Sequence, residues 1–131
     1  MGQEKKLSIS AIQMCSMIGD KKANFDKVSE LVERDIKVGT DVIVLPEVWT
    51  VGWSPKYFRE SAEEINNSET INFLSTIAKK YKSWIVGGSF ISKEGEHYYN
   101  TCPVLNRNGE LVTTYSKNHL FSYYGCEEGK Y

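Results

Sequence analysis

The chain has 131 residues, of which 40% are hydrophobic, 12% aromatic and 25% charged. This composition is typical of a globular protein and not of a disordered or fibrous one. Residues 1–131 are therefore expected to form a single domain. Sixteen basic and seventeen acidic residues give a net charge of −1, so no basic excess attracts nucleic acid. No apolar run approaches the roughly 18 residues that a membrane span requires.

The cysteines and the first residues of the chain predict a cytoplasmic location. Cys15, Cys102 and Cys126 are an odd number and form no C-x-x-C pair, which disfavours zinc sites and redox dithiols. The apolar stretch 7–18 is interrupted by several polar residues, unlike a signal peptide. No residue pattern calls for a metal or an organic cofactor.

The first part of the chain has the pattern of a βαβ unit. Leu7–Met14 alternates as a strand does, and Asp20 is placed to cap a helix that ends near Gly39. Asp41–Pro46 is a short, unbroken apolar run, which predicts a strand covered on both faces in a parallel sheet.

A second helix and a third strand extend this unit to βαβαβ. Asn66, with Glu69 three residues later, resembles a capping box. The apolar face of the helix has members at helical spacing, namely Ile71, Leu74, Ile77, Ala78 and Tyr81. Trp84–Phe90 is then a third buried strand.

Two turn signals indicate that antiparallel strands follow. They lie at Lys93–Glu96 and Arg107–Glu110, and they flank strands at His97–Leu105 and Leu111–Tyr115. The predicted fold class is α/β, with a βαβαβ unit followed by antiparallel strands.

Glu47 is the first candidate for chemistry, because it directly follows the buried strand Asp41–Pro46. Ligands of open α/β sheets bind at the carboxyl ends of the strands. The loop beyond Glu47 is rich in aromatic residues, including Trp49 and Trp53. Such a carboxylate suits a general base. The alternative is a carboxylate that caps a loop or pairs with a surface lysine.

Lys117 is the second candidate, since it follows a strand and lies between Tyr115 and Phe121 in the sequence. An ammonium group held there could stabilise an oxyanion. The alternative is a surface lysine whose ammonium group is exposed to solvent. His119 is either a titratable site residue or a structural hydrogen-bonding group.

The cysteines are weaker candidates for a nucleophile. Cys15 continues the first predicted strand and Cys102 lies within a later one, and both are expected to be small core residues. Cys126 precedes two glutamates, whose charges disfavour a thiolate.

Together these segments resemble the amino-terminal half of a nitrilase-superfamily enzyme, a carbon–nitrogen hydrolase. The segments that carry the resemblance are Ala11–Met14 with Gly19, Asp20 and Asn24, Leu45–Glu47, Gly87–Ser89, Tyr99–Thr101 and Tyr115–Phe121. The loop between Trp49 and Trp53 and the segment His119–Tyr123 resemble the omega-amidase branch. That branch hydrolyses the terminal amides of small dicarboxylic acid monoamides.

The resemblance implies an αββα sandwich with a Glu–Lys–Cys site. Glu47 would be the general base, Lys117 would stabilise the tetrahedral intermediate, and a cysteine would form the acyl-enzyme. Expected substrate contacts are Trp49, Trp53, His119 and Phe121. The cysteine of the family lies on a later strand than any in this sequence. An apparently truncated domain that lacks the nucleophile, and is inactive alone, is therefore expected.

Three hypotheses remain open: a truncated amidase for small linear amides, the amino-terminal half of a split enzyme, and a non-catalytic binding or assembly module. Half a sandwich leaves apolar faces uncovered. This favours a homo-oligomer or a complementing carboxy-terminal half.

Overall fold

The computed structural model describes residues 4–121 in full and only the backbone of 122–123 and 126–127, so the side chain of Cys126 lies outside the described residues. The strands described are β1 (Ile9–Ala11), β2 (Val42–Val44), β3 (Trp84–Val86), β4 (Phe90–Glu94), β5 (His97–Leu105), β6 (Leu111–Ser116), β7 (Ser122–Tyr123) and β8 (Cys126–Glu127). The α-helices described are α1 (Lys21–Asp35), α2 (Phe58–Ser61) and α3 (Glu69–Tyr81). Pro55–Tyr57 and Ile65–Asn67 form 3-10 helices.

The sheet begins with three parallel strands in the order β1, β2, β3. Strand β5 then pairs antiparallel with both β3 and β4, and β6 also pairs antiparallel with β5. The predicted α/β class, and the βαβαβ unit followed by antiparallel strands, are therefore confirmed.

Both long helices cover the same face of the sheet. The strands β1, β2 and β3 lie side by side in chain order. Because the connections β1–α1–β2 and β2–α3–β3 are right-handed crossovers, both helices lie on the same side of the sheet. Ile43 of β2 and Ile85 of β3 are fully buried with Val28 and Val32 of α1 and Leu74 of α3 in one cluster.

Helix α3 buries all five of its predicted apolar residues, but its cap differs from the prediction. Ser68 is the N-cap, and its Oγ accepts a hydrogen bond from the Ile71 N–H at 3.0 Å. Asn66 lies instead in the preceding 3-10 helix. The predicted cap of α1 is confirmed, since Asp20 accepts from the Ala23 N–H. The helix ends at Asp35 with Ile36 as its C-cap, which is earlier than the predicted end near Gly39.

The opposite face of the sheet is largely uncovered by the described residues. Strand register places alternate residues on it: Ile9, Ala11, Val42, Val44, Trp84, Val86, Cys102, Val104 and Tyr115. We call these residues the open face. Ile9 is 59% exposed and Tyr115 61%. The prediction that Asp41–Pro46 is covered on both faces is therefore wrong for Val42 and Val44, because both helices lie on the other side.

The predicted strand Trp84–Phe90 is two strands separated by a β-bulge. Val86 pairs with Val104 and Phe90 pairs with Thr101. The chain therefore advances four residues between these two pairs on the side of β3 and β4, but only three on β5. The extra residue bends the strand next to the end of β2, which is where bulges often re-aim active-site groups.

A buried carboxylate ties the start of α3 to α1. Glu63 is 8% exposed and accepts hydrogen bonds from Thr70 N–H at 3.1 Å, Thr70 Oγ1 at 2.7 Å and the Ser68 hydroxyl. Lys21 Nζ lies 2.7 Å from Glu63 Oε1 and 2.9 Å from Glu69 Oε1. Burial lowers the pKa of Lys21, but its hydrogen bonds to Glu63 and Glu69 outweigh this and raise it.

We expect Glu63→Gln to lower the free energy of unfolding by about 2–3 kcal/mol, because Lys21 and the α3 N-terminus lose a buried negative charge. The matched control is Glu64→Gln, which changes an exposed neighbour and should cost less than about 0.5 kcal/mol. Urea denaturation followed by circular dichroism measures both values. Equal effects of the two substitutions would contradict a structural role for Glu63.

None of the helices within residues 4–123 has both the length and the apolar character needed to cross a bilayer.

Candidate active site

Glu47 lies just beyond the carboxyl end of β2, at the edge of the parallel part of the sheet. The Leu45 N–H still bonds to the Val86 carbonyl at 3.0 Å, so the chain leaves the sheet only at Pro46. Glu47 is half exposed. Its carboxylate is therefore fixed to the sheet through its backbone yet remains accessible.

The turn that carries Glu47 is held by Ser89 and Gly88 in the bulge. The Ser89 N–H donates to the Pro46 carbonyl at 3.1 Å, and the Val48 N–H donates to Ser89 Oγ at 2.9 Å. Val48 has a φ of 46°, a left-handed conformation that is costly for a β-branched residue. A Cβ on Gly88 would lie 1.9 Å from the Pro46 carbonyl oxygen, so only glycine fits there.

Lys117 directly follows β6, and strands β3 and β5 lie between β6 and β2 in the sheet. Its N–H donates to the Asn100 carbonyl at 2.9 Å, which extends the pairing of β5 with β6 by one residue. Lys117 Nζ lies 2.9 Å from Glu47 Oε1. The tertiary structure therefore brings together two charged groups that are 70 positions apart.

Asn100 contributes a third group to this pair. Its Nδ2 donates to Glu47 Oε1 at 3.0 Å, and its side chain is only 5% exposed. Glu47, Lys117 and Asn100 line an open cleft of about 270 Å³, together with Gly88, Ser89, Cys102 and Tyr115. A carboxylate here can accept a proton, and the adjacent ammonium can donate hydrogen bonds to a developing negative oxygen.

Comparison with known proteins identifies the family to which this geometry belongs. The sequence model of the carbon-nitrogen hydrolases matches residues 8–130. The chain belongs to the carbon–nitrogen hydrolase family. The resemblance to the nitrilase superfamily that the sequence indicated is confirmed.

Curated relatives of this carbon–nitrogen hydrolase chain include several amidases. It is 35% identical over 120 residues to the chloroplastic omega-amidase of Arabidopsis thaliana, an alignment that covers 88% of this chain and 32% of that protein. It is 34% identical over 116 residues to the 2-oxoglutaramate amidase of Bacillus subtilis, covering 88% and 44%. The chain thus spans less than half the length of these relatives.

Solved structures confirm the fold. The Saccharomyces cerevisiae protein Nit3, a member of branch 10 of the nitrilase superfamily, matches with a TM-score of 0.79 and 30% identity. The match covers 87% of this chain and 45% of that one. The described residues therefore form part of the complete nitrilase-type fold.

Trp49 lies in the core and not in the cleft of this carbon–nitrogen hydrolase chain. It is fully buried, its Nε1–H donates to the Gly87 carbonyl at 2.9 Å, and its ring packs near Phe25 and Phe73. A side chain without exposed surface has no area to offer a substrate, which argues against the predicted substrate contact of Trp49. The left-handed turn at Val48 places the next side chain inward.

Trp53 and Phe121 lie in contact although they are 68 positions apart in the sequence. Their ring centroids are 5.4 Å apart with an edge-to-face angle of 84°, and Phe121 is 45% exposed. His119 is exposed on the segment after β6. Substrate contacts of these three residues remain predictions.

Cys102 lies on the cleft wall, and Cys15 is exposed, so the prediction that both are core residues is wrong. Cys102 lies on the open face of β5 and is partly buried. Burial among its neighbours raises the pKa of the Cys102 thiol, and a hydrogen bond to the backbone of Gly87 offsets this only in part. A thiol with a raised pKa is a poor nucleophile at neutral pH.

Sequence reasoning assigned no role to Asn100 or Ser89. Both lie in segments that carried the family resemblance, Tyr99–Thr101 and Gly87–Ser89, and this was the available signal. Their contacts with Glu47 and Val48 depend on strand pairing, which the sequence does not display.

Within residues 4–123 no three histidine, cysteine, aspartate or glutamate side chains are grouped as metal ligands would be.

Proposed function

We propose that this chain provides the general base and the oxyanion stabiliser of an amidase that acts on small linear amides. The observation that carries the proposal is the contact of Lys117 Nζ with Glu47 Oε1 at 2.9 Å in a cleft at the carboxyl end of β2. Several relatives are named omega-amidases, and one is a 2-oxoglutaramate amidase. These names support terminal amides of small dicarboxylic acid monoamides as substrates.

In the proposed mechanism Glu47 removes the proton from a cysteine thiol, and the thiolate attacks the amide carbonyl carbon. Lys117 donates hydrogen bonds to the oxygen that becomes negative in the tetrahedral intermediate. The C–N bond breaks, the nitrogen takes the proton from Glu47, and ammonia leaves. Glu47 then deprotonates a water molecule, and the resulting hydroxide attacks the carbonyl carbon of the thioester. The C–S bond breaks, the carboxylic acid leaves, and the cysteine sulfur takes the proton back from Glu47.

The attacking cysteine is proposed to come from outside residues 4–123. Cys15 is not among the residues that line the cleft, and the raised pKa of the Cys102 thiol disfavours its ionisation. The open face supports a second polypeptide segment that packs on the sheet, completes the sandwich and carries the nucleophile. Trp53, His119 and Phe121 are proposed to contact the substrate, and the cytoplasm is the proposed location.

A non-catalytic assembly role is the second candidate, and the open face favours it. Exposed apolar side chains on Ile9, Trp84 and Tyr115 are a basis for self-association. In that case binding would survive the loss of Glu47 and Lys117.

The test is complementation. The 131-residue chain is co-expressed with the part of the Saccharomyces cerevisiae omega-amidase that it does not match, and we call this the complemented pair. We expect the two parts to co-elute in size-exclusion chromatography and to release ammonia from succinamate. Neither part alone should release ammonia above background.

Three outcomes would contradict the proposal. Ammonia release by the 131-residue chain alone would mean that it already contains a nucleophile, and loss of this activity in Cys126→Ser would identify it. A pair that co-elutes without releasing ammonia would favour the assembly role. Failure of the parts to associate would contradict packing on the open face.

A further inference from the structure

We propose that Asn100 is a positioning residue that aligns the carboxylate of Glu47 and decides which of its two oxygens accepts the proton. The inference rests on the proposed function only for its catalytic consequence, because the alignment itself is a property of this chain. Asn100 touches both site residues: its Nδ2 donates to Glu47 Oε1 at 3.0 Å, and its carbonyl accepts from the Lys117 N–H at 2.9 Å.

The backbone of Asn100 is fixed from both sides. Residue 100 pairs with Ile91 of β4 across one edge of β5, and its carbonyl binds Lys117 across the other. The side chain is 5% exposed and has only two rotatable bonds, so its amide has little freedom. Asn100 is therefore a rigid donor to the longer, half-exposed side chain of Glu47.

The ion pair by itself does not supply this rigidity. Glu47 is 50% exposed and Lys117 31% exposed, and ion pairs with such access to water contribute only about 0–1 kcal/mol. Both side chains are long and lose rotamer entropy when they are held in one geometry. A buried amide donor costs less entropy and fixes the plane of the carboxylate.

Both donors converge on the same oxygen, Oε1 of Glu47. Among the hydrogen bonds described for residues 4–123, none involves Oε2. An oxygen that already accepts two hydrogen bonds has less electron density to offer a proton, so Oε2 is the basic atom. The amide of Asn100 must present Nδ2 and not Oδ1 to the carboxylate, because two acceptors would repel each other.

The test uses Asn100→Ala and Asn100→Leu in the 131-residue chain. The first removes the amide, and the second keeps the branched shape without a donor, which covers the case in which the alanine variant loses its fold. The matched control is Ser92→Ala, a buried residue on β4 whose hydroxyl contacts Thr101. Carbon-13 relaxation reports the order of the Glu47 side chain, and hydrogen exchange reports the Lys117 amide.

We expect the Glu47 side chain to lose order in both Asn100 variants and not in Ser92→Ala. The Lys117 amide should keep its protection, because its acceptor is the main-chain carbonyl of residue 100, which both variants retain. A role limited to holding the strands together would instead reduce protection at Lys117. Unchanged order of Glu47 in a folded Asn100 variant would overturn the proposal.

In the complemented pair both Asn100 variants should lower kcat by about 10²-fold at unchanged KM, since a misplaced base slows the chemical step and not substrate binding. Ser92→Ala should leave both constants unchanged. Unaltered kcat in both Asn100 variants would refute the catalytic consequence. If the unsubstituted pair releases no ammonia, the proposed function is wrong. Carbon-13 relaxation of the Glu47 side chain in the 131-residue chain still tests the positioning role of Asn100 in that case.

Discussion

Replacing Glu47 by glutamine is expected to lower ammonia release by the complemented pair by about 10³-fold or more. Glutamine keeps the shape of the side chain and can still bind Asn100, but it cannot accept a proton from a thiol or from water. The decrease should appear in kcat for succinamate, measured by an enzyme-coupled ammonia assay.

Lys117→Met should lower the kcat of the complemented pair by about 10²–10³-fold in the same assay, because the oxyanion loses its hydrogen-bond donor.

The control for both variants is Lys27→Met. Lys27 also forms an ion pair with a glutamate, Glu30, at 3.2 Å, but on the exposed surface of α1. Its loss tests whether removal of any lysine–glutamate pair impairs the enzyme. Activity of Lys27→Met should stay within about twofold of the unsubstituted pair, as surface substitutions rarely exceed about 0.5 kcal/mol. A Glu47→Gln pair as active as this control would rule out Glu47 as the base.

Gly88→Ala is expected to have the largest effect on stability, a loss of about 3 kcal/mol or more in the free energy of unfolding. Gly88 has a φ of +62°, and a Cβ there would lie 1.9 Å from the Pro46 carbonyl oxygen and 2.7 Å from that of Leu45. These are backbone atoms, so the end of β2 would have to move. Because Glu47 follows Pro46, the same substitution should also abolish ammonia release by the complemented pair.

Gly95→Ala separates the two causes of this loss. Gly95 has nearly the same backbone conformation, with a φ of +58°, but a Cβ there meets nothing within 4 Å. It should cost only the left-handed strain, about 1–2 kcal/mol, and leave catalysis intact. Urea denaturation of the two variants provides the comparison. If Gly88→Ala and Gly95→Ala lower the free energy of unfolding equally, the close approach of Gly88 to the end of β2 does not contribute to the loss.

Features that depend on short stretches of chain were predictable from the sequence. The apolar face of α3 is confirmed residue by residue, and β5 has the predicted bounds His97–Leu105. Helical and strand periodicities are properties of short segments, because apolar residues recur at a regular spacing wherever one face of an element is buried. The same reasoning missed the break at Gly87–Ser89, because a glycine-rich apolar run has the same composition with or without a bulge.

The candidate site was predictable only in part. Glu47 could be located because it follows a buried strand, and family resemblance pointed to Lys117. Trp49 and Trp53 look alike in the sequence, yet one is buried in the core and the other contacts Phe121. The left-handed backbone at Val48, directly before Trp49, turns that side chain into the core, and nothing in the residue type of a valine predicts this conformation.

The sequence by itself determined the α/β class, the order of the elements and the family, since hydrophobic periodicity and short motifs are properties of neighbouring residues. Only the tertiary structure decided that Asn100 binds Glu47 and that Lys117 lies 2.9 Å from the same oxygen. It also decided that one face of the sheet is open. These features depend on strand pairing and crossover handedness, which join residues 53 and 70 positions apart through contacts that the linear order of the chain does not encode locally.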